Sequence, residues 1–250
     1  TIDATSNKAV FFLDGETPTI GESAKPDAAN AKLKKLEMTG NVHLVSTENG
    51  SAPTTIEAGY AMYEKSTDRI ELKEGTHIVT SASGKATDVR AAEAIYDQRA
   101  LKFTLTGGAE ITQDTNYIKG DLISADLYSS KKVKYAVVRG NGFVRQVTTE
   151  RTTSVSAPEL NVAINEAGDM KSANAIGQSV ATLDPNSKAD YSLVTMIAPR
   201  AIRVDFKGEG LLEKMQTEGR TTIQLGAVAA TADAANKRVT ADSVSTVFNA

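Results

Sequence analysis

A glycine that recurs inside alternating segments is the feature that most constrains this chain. Successive copies lie 32 to 42 positions apart, at Gly40, Gly75, Gly107, Gly140, Gly177 and Gly219. A second marker, an apolar residue followed by tyrosine, stands 11 or 12 positions before three of these glycines, at Met62-Tyr63, Ile95-Tyr96 and Leu127-Tyr128. Two markers that keep a fixed separation predict about six structural repeats, the last two of them longer.

Alternation with period two predicts that each repeat is built from strands. Around Gly40 one parity carries the apolar residues Leu36, Met38, Val42 and Leu44. The same positions around Gly107 carry Phe103, Leu105, Ala109 and Ile111, and a second strand begins at Ile56 and continues through Met62. A glycine within a strand usually marks a bend or a close backbone approach. The repeat therefore predicts an all-β fold of long bent strands, as in a jelly roll or a flattened solenoid.

Two regions depart from this regular pattern. In unit two, Ile70 and Leu72 have the parity opposite to Gly75, which predicts a bulge or an inserted residue. Residues 1–35 lie outside the repeat, with a candidate first strand over 9–13 followed by a long loop. We expect two parts, an N-terminal strand and loop over 1–35 and a repetitive domain over 36–250. The segment 211–218 is a weak candidate for a helix, and no apolar run approaches the ~20 residues of a membrane span.

The composition offers little for catalysis. The chain has no cysteine and two histidines, His43 and His77, which excludes disulfides, thiolate metal sites and cysteine nucleophiles. A metal site would need both histidines stacked beside a carboxylate such as Glu110, and outward-facing strand histidines are the simpler interpretation. The glycine-rich segment at Gly107 lacks the Lys-Ser/Thr and the helix of a phosphate loop. With a net charge of -3, we expect no enzyme, metal, cofactor or nucleic-acid partner.

The predicted inner face is aliphatic and continuous from unit to unit. Such a face either fills a closed core or lines a trough that holds acyl chains. In a trough, each methylene group of an acyl chain that is buried contributes ~0.8 kcal/mol to binding. The sequence by itself leaves both possibilities open.

Two motifs carry a resemblance to a known family. Tyr63-x(6)-Ile70-x-Leu72-x(2)-Gly75 is echoed by Tyr96-x(6)-Phe103-x-Leu105-x-Gly107, and the segments 39–44 and 106–111 share a Gly-Asn/Gly-Val/Ala pattern. This pattern resembles the OstA-like (LptA-like) lipopolysaccharide-transport domains, well over 36–146 and loosely over 147–250. The resemblance implies an open, twisted β-jelly roll in the periplasm, with a V-shaped interior for lipopolysaccharide acyl chains. It also implies edge-to-edge stacking of protomers into a bridge, and it supplies no catalytic residues.

The resemblance further implies a lipid-binding groove lined by one set of apolar side chains. These are Leu36, Met38, Val42, Leu44, Ile56, Met62, Ile95, Phe103, Leu105, Ile111 and Leu127. The expected partners are lipopolysaccharide and, through strand edges, the chain itself or other jelly-roll domains of the export machine. One alternative is the subunit of that machine tethered to the inner membrane by a segment before Thr1. Another is a β-solenoid structural or adhesion protein with a filled core.

Overall fold

The computed structural model describes residues 2–14, 32–47, 52–81, 86–147, 149, 151–167, 169–185, 193–207, 211–226 and 237–247. All of its regular elements are strands. The first ten are β1 (Ile2–Thr5), β2 (Lys8–Asp14), β3 (Lys32–Ser46), β4 (Thr54–Glu64), β5 (Arg69–Lys73), β6 (Thr76–Thr80), β7 (Thr87–Ala91), β8 (Glu93–Asp97), β9 (Lys102–Gln113) and β10 (Asn116–Leu127). The others are β11 (Val133–Val147), β12 (Arg151–Ile164), β13 (Met170–Ile176), β14 (Ser179–Pro185), β15 (Val194–Ala198), β16 (Ala201–Lys207), β17 (Leu211–Glu218), β18 (Thr221–Leu225), β19 (Lys237–Ala241) and β20 (Ser245–Val247).

Antiparallel pairing arranges these strands into two layers. Layer I runs β2–β3–β4–β5–β8–β9–β10–β11–β12–β13–β16–β17–β20. Layer II runs β1–β3–β4–β6–β7–β9–β10–β11–β12–β14–β15–β18–β19. Six long strands cross from one layer to the other, and the remaining crossings are made by pairs of short strands. This all-β arrangement of bent strands confirms the predicted jelly-roll fold class.

The crossings are bends of two lengths. In strands that carry a repeat glycine, the bend consists of three residues, which separate the last inward-facing side chain in one layer from the first in the other, as at 39–41 and 106–108. Up to β12, the strands between them use two residues, as at 59–60 and 121–122. All six repeat glycines have positive φ, between 69° and 90°, so the prediction that they mark bends is confirmed. A three-residue bend keeps the parity of the inner face, and a two-residue bend reverses it.

The irregularity of unit two has a simple explanation. Its bend uses Glu74 and Gly75, with φ of 64° and 84°, whereas the first bend uses Gly40 and Asn41. The glycine has moved from the first to the second left-handed position of the bend. The inner face itself keeps its phase from Leu72 to Thr76, so the predicted bulge or inserted residue is absent from this described segment.

Two segments outside the clear repeat add to the sheet. The candidate strand over 9–13 lies within β2, which pairs with β3 and covers one edge of layer I. Most of the predicted long loop, residues 15–31, lies outside the described residues. The segment 211–218, the weak candidate for a helix, is strand β17, whose partners are β16 and β20.

We predict unequal effects of an added methyl group at Gly107 and Gly108, which lie in one bend with φ of 81° and 74°. A β-carbon at Gly107 would overlap the Ala92 side chain, whereas at Gly108 nothing lies within 4 Å. Both alanine substitutions carry the ~1–2 kcal/mol cost of a left-handed residue. Gly107→Ala should lose about 1–3 kcal/mol more through overpacking. Urea unfolding of both variants measures the difference, and equal losses would contradict the close approach.

Candidate functional site

The inward-facing side chains form rows that run across the strands, parallel to the line of bends. The first row, next to the bends, is buried on every strand of both layers from β3 to β18. In layer I it consists of Met38, Ala61, Leu72, Ala94, Leu105, Ile123, Val138, Leu160, Ala175, Ile202 and Thr217. In layer II it consists of smaller residues, Val42, Ala58, Thr76, Ala91, Ala109, Gly120, Gly142, Ala157, Ser179, Ala198 and Thr221. The layers therefore meet closely along the bends.

The second row lies one step farther from the bends, and all but three of its residues are only half-buried. Layer I contributes Leu36, Tyr63, Ile70, Tyr96, Phe103, Ala125, Ala136, Val162, Ala173, Val204 and Met215. Layer II contributes Leu44, Ile56, Ile78, Val89, Ile111, Ile118, Val144, Val155, Ala181, Met196 and Ile223. Burial thus decreases away from the bends, which is the geometry of an apolar groove between the layers.

The groove is filled unevenly along its length. On the layer I side, Ile70 and Phe103 pack against the core cluster, as do Val204 and Met215 farther along the chain. Between them, on the adjacent strands β10 to β13, four smaller residues stand apart from that cluster of described residues: Ala125, Ala136, Val162 and Ala173. The layer I wall is therefore made of small side chains across these four strands.

A third row of layer II lies at the open side of the groove and is polar for most of its length. Over eight strands it consists of Ser46, Thr54, Thr80, Thr87, Gln113, Asn116, Gln146 and Thr153. Thr54 and Thr80 share a hydrogen bond of 2.8 Å, and Gln113 donates to Thr87 at 2.8 Å. On β14, β15 and β18 the row turns apolar, with Leu183, Val194 and Leu225.

The structure places most of the predicted lining residues on the inner face. Met38, Val42 and Leu105 are buried in the first row, and the half-buried second row contains Leu36, Leu44, Ile56, Phe103 and Ile111. Leu127 keeps the inner parity of Ala125 and lies half-buried beyond the second row, where its amide donates to Leu101.

Met62 and Ile95 require a correction, because both lie on the outer face. Met62 pairs with Glu37 and Glu71, and Ile95 pairs with Glu71 and Thr104. The inner positions belong instead to the tyrosines that follow them, Tyr63 and Tyr96. The two-residue bends of β4 and β7–β8 reverse the parity. When the alternation is counted on from the strand before the bend, it therefore indicates the wrong side chain.

The predicted lining ended at residue 127 and therefore left out inner residues such as Val144, Val155 and Ala181. The alternation Ala173, Ala175, Ser179 and Ala181 around Gly177 was visible but consists of small residues, so it gave a weak hydrophobic signal.

Charged side chains occupy the outer faces and pair with their neighbours. Arg139 Nε donates to Glu159 at 2.8 Å, and this hydrogen bond holds the pKa of the Glu159 carboxyl below its ordinary value. Lys35 and Glu37, 2.6 Å apart, likewise lower the pKa of Glu37 and raise that of Lys35 through their hydrogen bond. Both are pairings of a kind that stabilises a solvated sheet face only weakly.

Both histidines lie on the outer face of layer II beside Glu57. His77 contacts Glu57 through Nδ1 at 3.4 Å and Asp88 through Nε2 at 2.8 Å, so its two acidic neighbours lie on opposite sides of the ring. His43 approaches Glu57 at 3.8 Å. The described residues contain no group of three or more such side chains arranged to hold a metal ion. No helix within the described part of the chain is long and apolar enough to cross a membrane.

We predict that two leucines of the groove differ in their contribution to stability. Leu105, in the first row, has 0% exposure, whereas Leu36 in the second row is half-buried. Leu105→Ala should cost roughly 2–5 kcal/mol because it leaves a cavity in a sealed interior. Leu36→Ala should cost less than half as much, since its side chain already contacts solvent. Equilibrium unfolding in urea measures both, and equal losses would indicate a closed core.

Comparisons with known proteins were made against protein families, curated proteins and solved structures. The chain matches the family model described as "LptA/(LptD N-terminal domain) LPS transport protein" over residues 6–131. No curated protein matches it. Among solved structures, it is similar to LptH, the LptA-homologous periplasmic component of the lipopolysaccharide transport device of Pseudomonas aeruginosa, at 14% identity and a TM-score of 0.34, covering 50% of this chain and 76% of that chain. Because the family model spans half of the sequence and coincides with the first part of the groove, the chain belongs to the LptA/LptD N-terminal domain family of lipopolysaccharide transport proteins.

Proposed function

We propose that this protein is a non-enzymatic periplasmic carrier that holds the acyl chains of lipopolysaccharide between its two layers during transport to the outer membrane. The observation that carries the proposal is the change from a buried first row to a half-buried second row on the same strands. In a filled solenoid core the second row would be as inaccessible as the first. A wall that is apolar and still accessible is suited to a guest that is itself apolar.

The strands β10 to β13 provide the room for such a guest. Their second-row residues in layer I are alanines and one valine that lie apart from the core cluster within the described chain. Four neighbouring strands span about 14 Å, at ~4.8 Å per strand spacing. Each methylene group that enters this space contributes ~0.8 kcal/mol, so a few acyl chains supply firm binding without any charged contact.

The strand edges support a bridge built from several protomers. In the described chain, β1 and β2 pair only with β3 at one end, while β19 and β20 pair only with β18 and β17 at the other. Phe11 on β2 and Val247 on β20 are 61% and 66% exposed. Unpaired strand edges recruit further strands. We infer that residues 36–250 act as one continuous groove. The edge strands β1 and β2 then offer the place where a neighbouring jelly roll pairs.

Acyl-chain binding is tested with single cysteines, which are unique labels because the chain has none. We expect lipopolysaccharide to slow maleimide alkylation of Ala136→Cys by about tenfold or more, since its chains cover a second-row side chain. Ala163→Cys is the matched control, because Ala163 lies on the outer face of β12 in register with Tyr135. Deacylated lipopolysaccharide should protect neither site. Equal protection by the deacylated form, or none by the intact form, would contradict the proposal.

End-to-end assembly is tested by a designed disulfide between protomers. Phe11 and Thr246 belong to the second row of layer I at its opposite ends. If the ladder continues from one protomer to the next in this register, β2 and β20 run parallel at the ~4.8 Å spacing of neighbouring strands, which brings their α-carbons within disulfide reach. The Phe11→Cys/Thr246→Cys protein should form oxidised ladders on a non-reducing gel. Phe11→Cys/Val247→Cys, shifted by one residue to the outer face, should form few, and similar behaviour of both pairs would argue against this register.

A further inference from the structure

The polar third row of layer II has two parts that differ in their hydrogen bonds. On β4, β6, β7 and β9 the side chains bond to one another, Thr54 with Thr80 and Gln113 with Thr87, each pair at 2.8 Å. On β10, β11 and β12 three side chains lie side by side in register, and we call them the polar lip: Asn116, Gln146 and Thr153. Within the described chain these three side chains form no hydrogen bond. Their donors and acceptors are therefore available to a ligand.

The same three strands reach the opposite side of the groove with apolar side chains. Each strand crosses both layers, so β10 and β12 run from the polar lip into layer I, while β11 runs the other way. At the layer I side their inward residues are half-buried, and we call them the apolar lip: Leu127, Val133 and Ile164. Between the lips, the second row of layer I on these strands is small: Ala125, Ala136 and Val162. A guest here meets neutral polar groups on one side and hydrocarbon on the other.

The chemistry of the polar lip suits neutral groups. The amides of Asn116 and Gln146 each donate and accept hydrogen bonds, and the hydroxyl of Thr153 does both. None of the three carries the positive charge that favours phosphate. Removing an ester or an amide from water is costly unless the group is hydrogen-bonded. In an acylated lipid these linkages are the first polar groups after the hydrocarbon chain. A chain held against the second row therefore brings its linkage to the third row, which lies about 7 Å farther along the strand.

We propose that the polar lip binds the ester and amide linkages that join the acyl chains of the lipid to its headgroup. The inference rests on the proposed function, because it takes the acyl chains to lie in the groove. It adds an orientation to that function: the linkages face layer II, and the hydrocarbon lies against the small side chains and the apolar lip of layer I. Two independent features, the small wall of layer I and the unused hydrogen bonds of layer II, coincide on β10, β11 and β12. Two of the three lip residues, Gln146 and Thr153, lie beyond residues 6–131, over which the chain matches its family.

The test replaces the hydrogen-bonding groups of the lip by hydrocarbon of similar shape. We expect the Asn116→Leu/Gln146→Met/Thr153→Val protein to bind lipopolysaccharide about tenfold or more weakly, because neutral hydrogen bonds are lost. Gln146→Met alone alters an exposed side chain, so it should keep the urea midpoint of the unaltered chain and bind about threefold more weakly. Thr54→Val/Thr80→Val is the matched control from the same row. Its two hydroxyl groups already bond to each other, so their removal should leave the affinity unchanged.

A second pair of ligands identifies the group that the lip binds. The unaltered chain and the triple variant are titrated with a glycolipid whose two chains are ester-linked and with its ether-linked counterpart. The two ligands have the same sugar and the same hydrocarbon, but the ether-linked form has no carbonyl groups. We expect the triple variant to lose affinity for the ester-linked form and to bind the ether-linked form as the unaltered chain does.

The outcomes separate the polar lip from the carrier function itself. If the triple variant and Gln146→Met bind lipopolysaccharide as well as the unaltered chain, or better, the lip is only a wall and the inference is overturned, while the groove stays in place. Equal losses for the ester-linked and ether-linked forms would assign the lip to sugar hydroxyls and overturn the assignment to the linkages. A loss of the same size in the Thr54/Thr80 control would also overturn it. Failure of the unaltered chain to bind any lipopolysaccharide would instead refute the proposed function.

Discussion

The line of bends is the constraint on which the rest of the structure depends. Each strand must turn from one layer into the other within two or three residues, and the longer turns that contain a repeat glycine place one or two residues at positive φ. Glycine adopts that conformation without the steric cost that other residues carry. Its absent side chain also permits contacts such as that of Gly107 with Ala92 on the adjacent crossing. The glycine thus recurs because the backbone geometry of the bend requires it in each repeat.

The bends also determine how the two layers diverge. The first row of layer II consists mainly of glycine, alanine, serine and threonine, so the layers approach closely at the turn. One step away, both layers carry larger side chains over much of their length, such as Ile111 and Phe103 on β9, whereas layer I has alanine or valine from β10 to β13. Small residues at the apex and larger, half-buried ones beyond it produce a wedge-shaped interior. The apex supplies the stability of a sealed core, while the outer part of the wedge remains half-buried.

The sequence predicted those parts of the site that lie on glycine-bearing strands, and the reason is physical. A three-residue bend preserves parity, so Leu36, Met38, Val42 and Leu44 remain on one face across Gly40. A two-residue bend, as in β4, carries no glycine signal at a fixed place and exchanges the faces, which put Met62 outside and Tyr63 inside. Only the pairing register reveals this exchange. The uncharged polar row at the mouth was likewise invisible, because its members are scattered through the chain and meet only across strands.

The family match ends at residue 131, whereas the physical pattern of the groove continues beyond it. After β12 the strict alternation of bend lengths ceases: the crossings at Gly177, Arg200 and Gly219 all use three residues. Pro158 and Pro199 pack beside Gly177 and Gly219, whereas Asn7, Ala92 and Asp121 lie beside Gly40, Gly107 and Gly140. The local chemistry of the turn has therefore changed, and with it the spacing of the markers. The rows nonetheless continue in register to Ile223 and Val239, because a continuous inner face depends on the phase of the alternation rather than on the residues that make the turn.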